Sequence, residues 1–341
     1  MSDTLHALSS SIIDGQQLSF AQMQTAFDEI MEGKASPVQL SCFLIALKMR
    51  GETPVDIAAG ASVLRQKATI LEDAPEDAID IVGTGGDGLG TFNISTAASF
   101  VVAGGGVSVA KHGNKAVSSK SGAADVLSAL GIDVNCPFEN VSAALHQARI
   151  AFLMAPRHHA AMRHVGPIRA ELKLRTIFNL LGPLSNPALV SRIMVGVFDS
   201  VWSQPFAEAL KTLDTQYAWI VHGSDGLDEL STTGDNHVVQ LRDGEISELT
   251  IHPDDIGLPV AKIDDLVGGT PEQNAAALRE MLGGAKNAYR DIVVLNAAGA
   301  FVATGHETDL NTAAERAIES IDSGAALNAL DRLVQITTDH S

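Results

Sequence analysis

The residues best suited to chemistry lie in four stretches. The first is the loop Gly83-Thr84-Gly85-Gly86-Asp87-Gly88-Leu89-Gly90, set between a β-branched run (Ile79, Ile81, Val82) and Asn93-Ile94-Ser95-Thr96, which opens an Ala-rich helical segment. That order reads as strand, glycine loop, helix start. Glycines let main-chain N–H groups turn inward, and Ser95 or Thr96 is placed to cap a helix whose positive end faces the same point. The loop is therefore predicted to hold an anion of phosphate type. A tight turn alone would account for the glycines, and the loop follows neither the dinucleotide fingerprint nor the Walker pattern. Asp87 sets it apart: a carboxylate among phosphate-binding amides repels phosphate unless it meets a cation or a sugar hydroxyl. The expected ligand is a phosphorylated sugar with a divalent cation.

The second stretch runs from Lys111 to Gly122, where three lysines and three serines leave one strand and enter the helical AADVLSALG. Alone it reads equally well as a solvated basic turn. With the first loop it gives two anion cradles at neighbouring strand ends, as a substrate phosphorylated at both ends requires. In the third, the strand AWIVHG (218–223) is followed by a loop containing Asp228 and Glu229. Adjacent carboxylates in a loop can share a hard cation, whereas on a strand they would point to opposite faces. They are read as magnesium ligands for a pyrophosphate group, over the alternative of an acidic surface loop. The fourth, Pro156-Arg157-His158-His159 through Arg163-His164 to Arg169, lacks a standard zinc spacing. It reads better as the wall of an organic-substrate pocket in which an arginine grips a carboxylate with a forked pair of bonds. A structural ion pair is the other reading of Arg169.

These loops need a sheet to bring them together. Predicted strands are Ile79 to Val82, Val107 to Lys111, Ile150 to Met154, Ile193 to Val197, Trp219 to His222 and Ile292 to Leu295, alternating with Ala-rich helical segments. The alternation argues an α/β domain, residues 78–341, around a mostly parallel sheet, with ligands beyond the carboxyl ends of the strands. A hairpin from His237 to Ile251, turning on Asp243-Gly244, adds an antiparallel edge. Residues 1–72 read as a small helical domain: Ser19, Ser36 and Thr53 each open a capping sequence, the last two with proline at the first helical position. The helical stretch from Pro156 to Pro187 is expected to pack back on this bundle, so that part of 160–190 joins it.

With 23 Lys+Arg against 41 Asp+Glu in 341 residues, the formal charge is -18. Such a chain opposes long-range attraction to nucleic acid or an anionic membrane, so phosphate must be held by local groups. Cys42 and Cys136 make no C-x-x-C pattern, the N-terminus carries no positively flanked apolar segment, and glycines interrupt the apolar runs short of a membrane span. The expectation is a soluble cytoplasmic protein with neither nucleic-acid nor membrane partners.

Together, DIVGTGGD (80–87), FNIST (92–96), KHGN (111–114), AVSSKSG (116–122), RTIFNLLGPL (175–184) and VHGSDGLDE (221–229) resemble the motifs of the anthranilate phosphoribosyltransferases of tryptophan biosynthesis, over nearly the whole chain. The resemblance implies a helical small domain, a larger α/β domain and a homodimer formed through the small domains. It implies transfer of the phosphoribosyl group of 5-phosphoribosyl 1-pyrophosphate (PRPP) to the amine of anthranilate, giving N-(5-phosphoribosyl)anthranilate and pyrophosphate. Gly83, Gly86, Asp87, Thr91, Asn93, Ile94, Ser95 and Thr96 would hold PRPP, and Lys111, His112, Gly113, Asn114, Lys115, Ala116, Val117, Ser118 and Ser119 would complete that site. Two magnesium ions are implied at Ser95, Asp228 and Glu229, and anthranilate at Gly83, Asn114, Arg169 and His112. Arg169, Lys111, Asp228 and Glu229 would carry the catalysis. Lys115 stands where many members have Arg, and Ala123 where many have Ser; these changes bear on affinity and not on the reaction.

Departure of pyrophosphate leaves positive charge on the ribose, so the site's main task is to stabilise the leaving group while the neutral aromatic amine attacks from the opposite face. No residue stands out as a general base. Two rival readings are a pyrimidine nucleoside phosphorylase, which shares the helical-plus-α/β plan, and a non-catalytic relative that binds nucleic acid. The Asp228-Glu229 pair and the K-H-G-N turn speak against the first, and the net charge against the second.

Overall fold

A computed structural model describes residues 3–115 and 120–339. Ala116, Val117, Ser118 and Ser119, assigned above to the PRPP site, lie outside the described residues. The chain opens with four helices, α1 Asp3–Ile13, α2 Phe20–Met31, α3 Pro37–Arg50 and α4 Pro54–Gln66. All three capping boxes form: Ser19, Ser36 and Thr53 accept from the N–H groups of Gln22, Gln39 and Asp56, whose side chains reach back to the cap. This satisfies donors that a helix start otherwise leaves unpaired. Phe27 of α2 is fully buried and meets Phe43 edge-on at 5.9 Å and Phe178 at 6.0 Å.

Seven strands follow among the described residues: β1 Ile79–Gly83, β2 Val109–Gly113, β3 Ile150–Met154, β4 Arg192–Gly196, β5 Tyr217–Gly223, β6 Asn236–Arg242 and β7 Glu245–Ile251. They lie in the order β3-β2-β1-β4-β5-β6-β7, the first five in sequence parallel and the last two antiparallel. The β6–β7 hairpin turns on Asp243 and Gly244 at φ 51° and 82°, the left-handed pair that a two-residue hairpin favours. From β1 the chain passes through α5 Ile94–Gly104 to β2, then through α6 Ala123–Ala129 and α7 Phe138–Gln147 to β3. It returns by a connector containing α8 Ala155–His158, α9 Gly166–Leu172 and α10 Phe178–Leu181 to β4, on the other side of β1. Winding reverses at β1, where a cleft opens beyond the strand ends. The remaining helices are α11 Ser203–Thr212, α12 Pro271–Leu282, α13 Ala288–Ala303, α14 Leu310–Asp322 and α15 Ala325–Thr338.

Strand periodicity divides the interior. Ile193, Val195, Ala218 and Ile220 join the core of α1–α4 and α11, whereas Met194, Trp219 and Val221 join that of α5 and α13–α15. The connector's Val165, Ile177, Phe178, Leu180 and Leu181 belong to the first core, so this stretch packs with the N-terminal helices.

One predicted strand is corrected. Ile292–Leu295 lies inside α13, whose start is capped by Asn287 accepting from the Arg290 N–H at 2.9 Å. Every residue from Ile292 to Ala303 is buried, because α13 packs against α5, β4 and β5 at once. A helix covered on all sides carries an unbroken apolar run, and such a run has no period to distinguish it from a buried strand. The second strand also begins at Val109 and not at Val107. Among the described residues, no helix is long and apolar enough to cross a membrane.

Truncating Phe27 to alanine removes a fully enclosed ring from the seam between the bundle and the connector. Phe27→Ala should cost about 3–5 kcal/mol in urea unfolding. A loss below about 1 kcal/mol would show that the seam does not depend on this packing.

Candidate active site

The glycine loop at the end of β1 turns its amides toward the carboxylates that follow β5. Gly85 N–H donates to Asp228 Oδ2 at 2.6 Å, and Ser95 N–H, in the first turn of α5, donates to Glu229 Oε1 at 3.1 Å. The expected cap at Ser95 or Thr96 is corrected: the helix begins at Ile94 with Asn93 at the N-cap, and no side chain caps it. The Asn93 side chain is engaged elsewhere, donating to the Ser121 carbonyl at 3.2 Å and accepting from Asn274 Nδ2 at 3.0 Å. The positive end of α5 is met by Glu229 instead.

Two glycines make room for this approach. A Cβ on Gly83 would lie 2.5 Å from Asp228 Oδ2, and one on Gly196 would lie 1.6 Å from the Asp228 carbonyl oxygen. Nothing in the sequence marks Gly196, because it ends an ordinary strand and its neighbour comes from a loop remote in the chain.

Burial pushes Asp228 well above the usual carboxylate range, and the like charges of Glu229 and Asp87 add to this. Glu229 is pushed up to about 7 by burial, against the pull of Lys111 and the Ser95 hydrogen bonds. The Lys111 ammonium is buried, donating to the Ile81 carbonyl and to Ser95 Oγ at 3.3 Å. Burial pushes its own pKa down while Asp80, Glu229 and Asp228 act the other way. Lys111, Asp87, Ser95, Asp228 and Glu229 therefore form one cluster in which three carboxyl groups face a single lysine. Its donors are hard oxygens, which fits a magnesium ion. Among the described residues, no group of three or more His, Cys, Asp or Glu is disposed to hold a metal ion. Water and substrate oxygens would have to complete the coordination, as is usual for magnesium.

Successive side chains on a strand face opposite ways. Lys111 turns to the carboxylates, and His112 turns to a cavity of about 400 Å³ lined also by Asn114, His159, Arg163, Arg169 and Phe178. The His112 and His159 rings lie 5.2 Å apart and are pushed down to about 3 and about 4, by burial first and then by neighbouring histidines. Both are neutral near pH 7, and neither Nε2 has a hydrogen-bond partner. Arg169 lies over the Phe178 ring at 5.6 Å and reaches Asn179 Oδ1 at 3.5 Å. Among the described residues no ion pair involves it.

The side chains of other predicted residues take different places. Gly83 faces Asp228 and is not on the cavity wall. The Ile94 side chain belongs to the hydrophobic core and Thr96 is buried. Thr91 bridges to Val267, Gly113 abuts the Phe152 ring, and Lys115 is exposed with its N–H on Asn114 Oδ1 at 2.8 Å. The histidine-rich stretch divides: His158 engages the Thr69 carbonyl at 2.6 Å, His159 faces the cavity and His164 lies against Gly33. Arg175 has no role in the sequence reading, yet it donates to the Gly86 carbonyl and lies 4.0 Å over the Phe198 ring, pinning the glycine loop. Its one signal is membership of RTIFNLLGPL.

Two family models match the chain: the helical bundle domain of a glycosyl transferase family over residues 8–68, and its a/b domain over residues 75–327. Fold and site thus define a glycosyl transferase with a helical bundle and an α/β domain. The anthranilate phosphoribosyltransferase of Parvibaculum lavamentivorans is 52% identical over 326 residues, 96% of this chain and 95% of that one. A crystal structure of anthranilate phosphoribosyltransferase from Thermus thermophilus superposes with a TM-score of 0.93 at 42% identity, covering 99% of this chain and 100% of that chain. The Saccharomyces cerevisiae enzyme superposes with a TM-score of 0.90 at 29% identity in complex with PRPP and Mg, covering 99% of both chains. In complex with 4-fluoroanthranilate it gives 0.87 at 28% identity, covering 98% of both. The chain belongs to the anthranilate phosphoribosyltransferase family.

Gly196→Ala would force a methyl into the Asp228 main chain. A loss of about 3 kcal/mol or more in urea unfolding is expected. An unchanged midpoint would mean that the 224–235 loop does not rest on β4 as described.

Proposed function

We propose that this chain transfers the 5-phosphoribosyl group from PRPP to the amine of anthranilate, yielding N-(5-phosphoribosyl)anthranilate and pyrophosphate, in tryptophan biosynthesis. The observation that carries the reading is the division of β2: Lys111 faces Ser95 and the buried carboxylates while the adjacent His112 faces the cavity lined by Arg169 and Phe178. One strand end thereby brings donor and acceptor together. The nucleoside phosphorylase and nucleic-acid readings are not favoured, since the relatives matched along nearly the whole chain are anthranilate phosphoribosyltransferases.

In the displacement, the amine lone pair forms a bond to ribose C1. The C1–O bond breaks with both electrons leaving on pyrophosphate, and the new nitrogen centre releases a proton. The glycine loop amides, Asn93 to Thr96 and Lys111 to Ser119 hold the phosphates. Arg169 grips the anthranilate carboxylate, and neutral His112 and His159 with Phe178 line the wall against which the already neutral aromatic amine is held. Ser95, Asp228 and Glu229 would hold two magnesium ions, Asp228 anchored on Gly85 and Glu229 on α5. When bound, the metal supplies positive charge against the departing pyrophosphate.

The reading extends to organisation. Residues 1–72 with part of 160–190 form the small domain and 78–341 the larger one, and two copies associate through the small domain. Exposed Ile13, Val38 and Met49 on α1 and α3 support that contact, being 64%, 79% and 83% accessible. We assign the enzyme to the cytoplasm.

Anthranilate fluorescence should fall on adding PRPP with magnesium, and hold steady without the metal; no fall in either condition would reject the function. Arg169→Ala should raise the KM for anthranilate by roughly tenfold or more, as loss of a charged hydrogen bond implies, with the KM for PRPP nearly unchanged. An effect confined to PRPP would reassign the residue.

A further inference from the structure

The pairing of β1 with β2 is registered at one point, Ile79 opposite Val109, whereas β1 pairs with β4 over five residues and β2 with β3 over five. In a parallel ladder with Ile79 facing Val109, the next step would join Ile81 to the flanks of Lys111: Ile81 N–H to the Ala110 carbonyl, and His112 N–H to the Ile81 carbonyl. The structure brings side chains to three of these groups. The Ala110 carbonyl accepts from Asn186 Nδ2 at 2.7 Å, His112 N–H donates to Asp80 Oδ1 at 3.1 Å, and the Ile81 carbonyl accepts from Lys111 Nζ. The Ile81 N–H adds a favourable interaction with the Asp80 carboxylate. Asn186 Nδ2 also donates to Asp80 Oδ2 at 2.7 Å, and its own Oδ1 accepts from Ala188 N–H at 2.8 Å. Asp80 and Asn186 are 0% and 2% exposed, so the interaction is closed to water.

We propose that Asp80 and Asn186 are positioning residues: they splice the carboxyl end of the β1–β2 ladder with side chains, and so direct Lys111 to the phosphate side and His112 to the aromatic cavity. A buried carboxylate is a costly way to fill a gap between strands. Burial pushes Asp80 up to about 6 even with Lys111, Asn186 and His112 N–H opposing it. An ordinary ladder step would join the same main-chain groups without burying a charge, but it would take up the Ile81 carbonyl that here accepts from Lys111 Nζ. The connector supplies Asn186 just before β4, so the stretch carrying Arg169 and Phe178 also ends on the splice.

The inference rests on the proposed transfer reaction, and Asp80→Asn, Asn186→Ala and the double variant test it beside the wild type. Each single variant should keep the wild-type circular dichroism spectrum, and at a temperature well below melting should lose about tenfold or more in kcat/KM for both PRPP and anthranilate. Because the two residues act through one splice, the double variant should be no worse than about twofold below the poorer single. A folded single variant within about twofold of the wild type for either substrate, or a double variant showing the product of the two losses, would overturn the proposal. If Asp80→Asn does not fold, Asn186→Ala decides by the same kcat/KM criterion. If the wild type itself does not turn over, the functional reading fails. The splice is then judged by the crystal structure of Asn186→Ala, which overturns it if Lys111 Nζ and the His112 ring stay where they are.

Discussion

Two adjacent carboxylates, Asp228 and Glu229, sit 8% exposed in a site whose buried cation among the described residues is one lysine, and much of the surrounding structure exists to make that tolerable. A carboxylate out of water needs hydrogen bonds or a counter-charge. Here the glycine loop gives an amide to Asp228, the first turn of α5 gives one to Glu229, and Lys111 stands against both. The glycines at 83 and 196 follow from the same demand, since any side chain there would occupy the space Asp228 needs. What these contacts leave uncompensated is carboxylate charge, which in the proposed reaction a divalent cation would meet.

The second constraint is adjacency. In the proposed transfer, a donor held by its phosphates and an acceptor held by its carboxylate call for chemically different walls at one point. Strand alternation at Lys111 and His112 provides both walls from neighbouring residues, and the reversal of winding at β1 opens the cleft between them. The connector from Ala155 to β4 ties this cleft to the helical bundle: its apolar residues pack with α1–α4 while Arg169 and Phe178 line the cavity.

Much of this was legible in the sequence because local chemistry wrote it. Ser19, Ser36 and Thr53 announce their helices, Asp243-Gly244 its hairpin, and the residues after β1, β2 and β5 the cluster they form. Long-range consequences were not legible. Ile292–Leu295 read as a strand because a helix buried on every face has no amphipathic period. Ser95 read as a cap because the sequence cannot show that Asn93 is already held by Ser121 and Asn274, or that Glu229 takes the Ser95 amide. Asp80, Asn186, Arg175 and Gly196 act through partners distant along the chain, and nothing in their immediate neighbours signals those contacts. Resemblance to a family supplied the substrates, which spacing alone could not.

The charge state of Glu229 in the metal-free protein tests the account most directly. Its carboxyl band can be isolated by infrared difference between the wild type and Glu229→Gln, followed from about pH 5 to 8. Since burial raises its pKa to about 7, the group should be protonated at pH 6 and ionised by pH 8, and magnesium should shift that midpoint down as the cation displaces the proton. A Glu229 already fully ionised at pH 6, with a midpoint that magnesium does not move, would contradict the claim that the site is built around buried charge awaiting a cation.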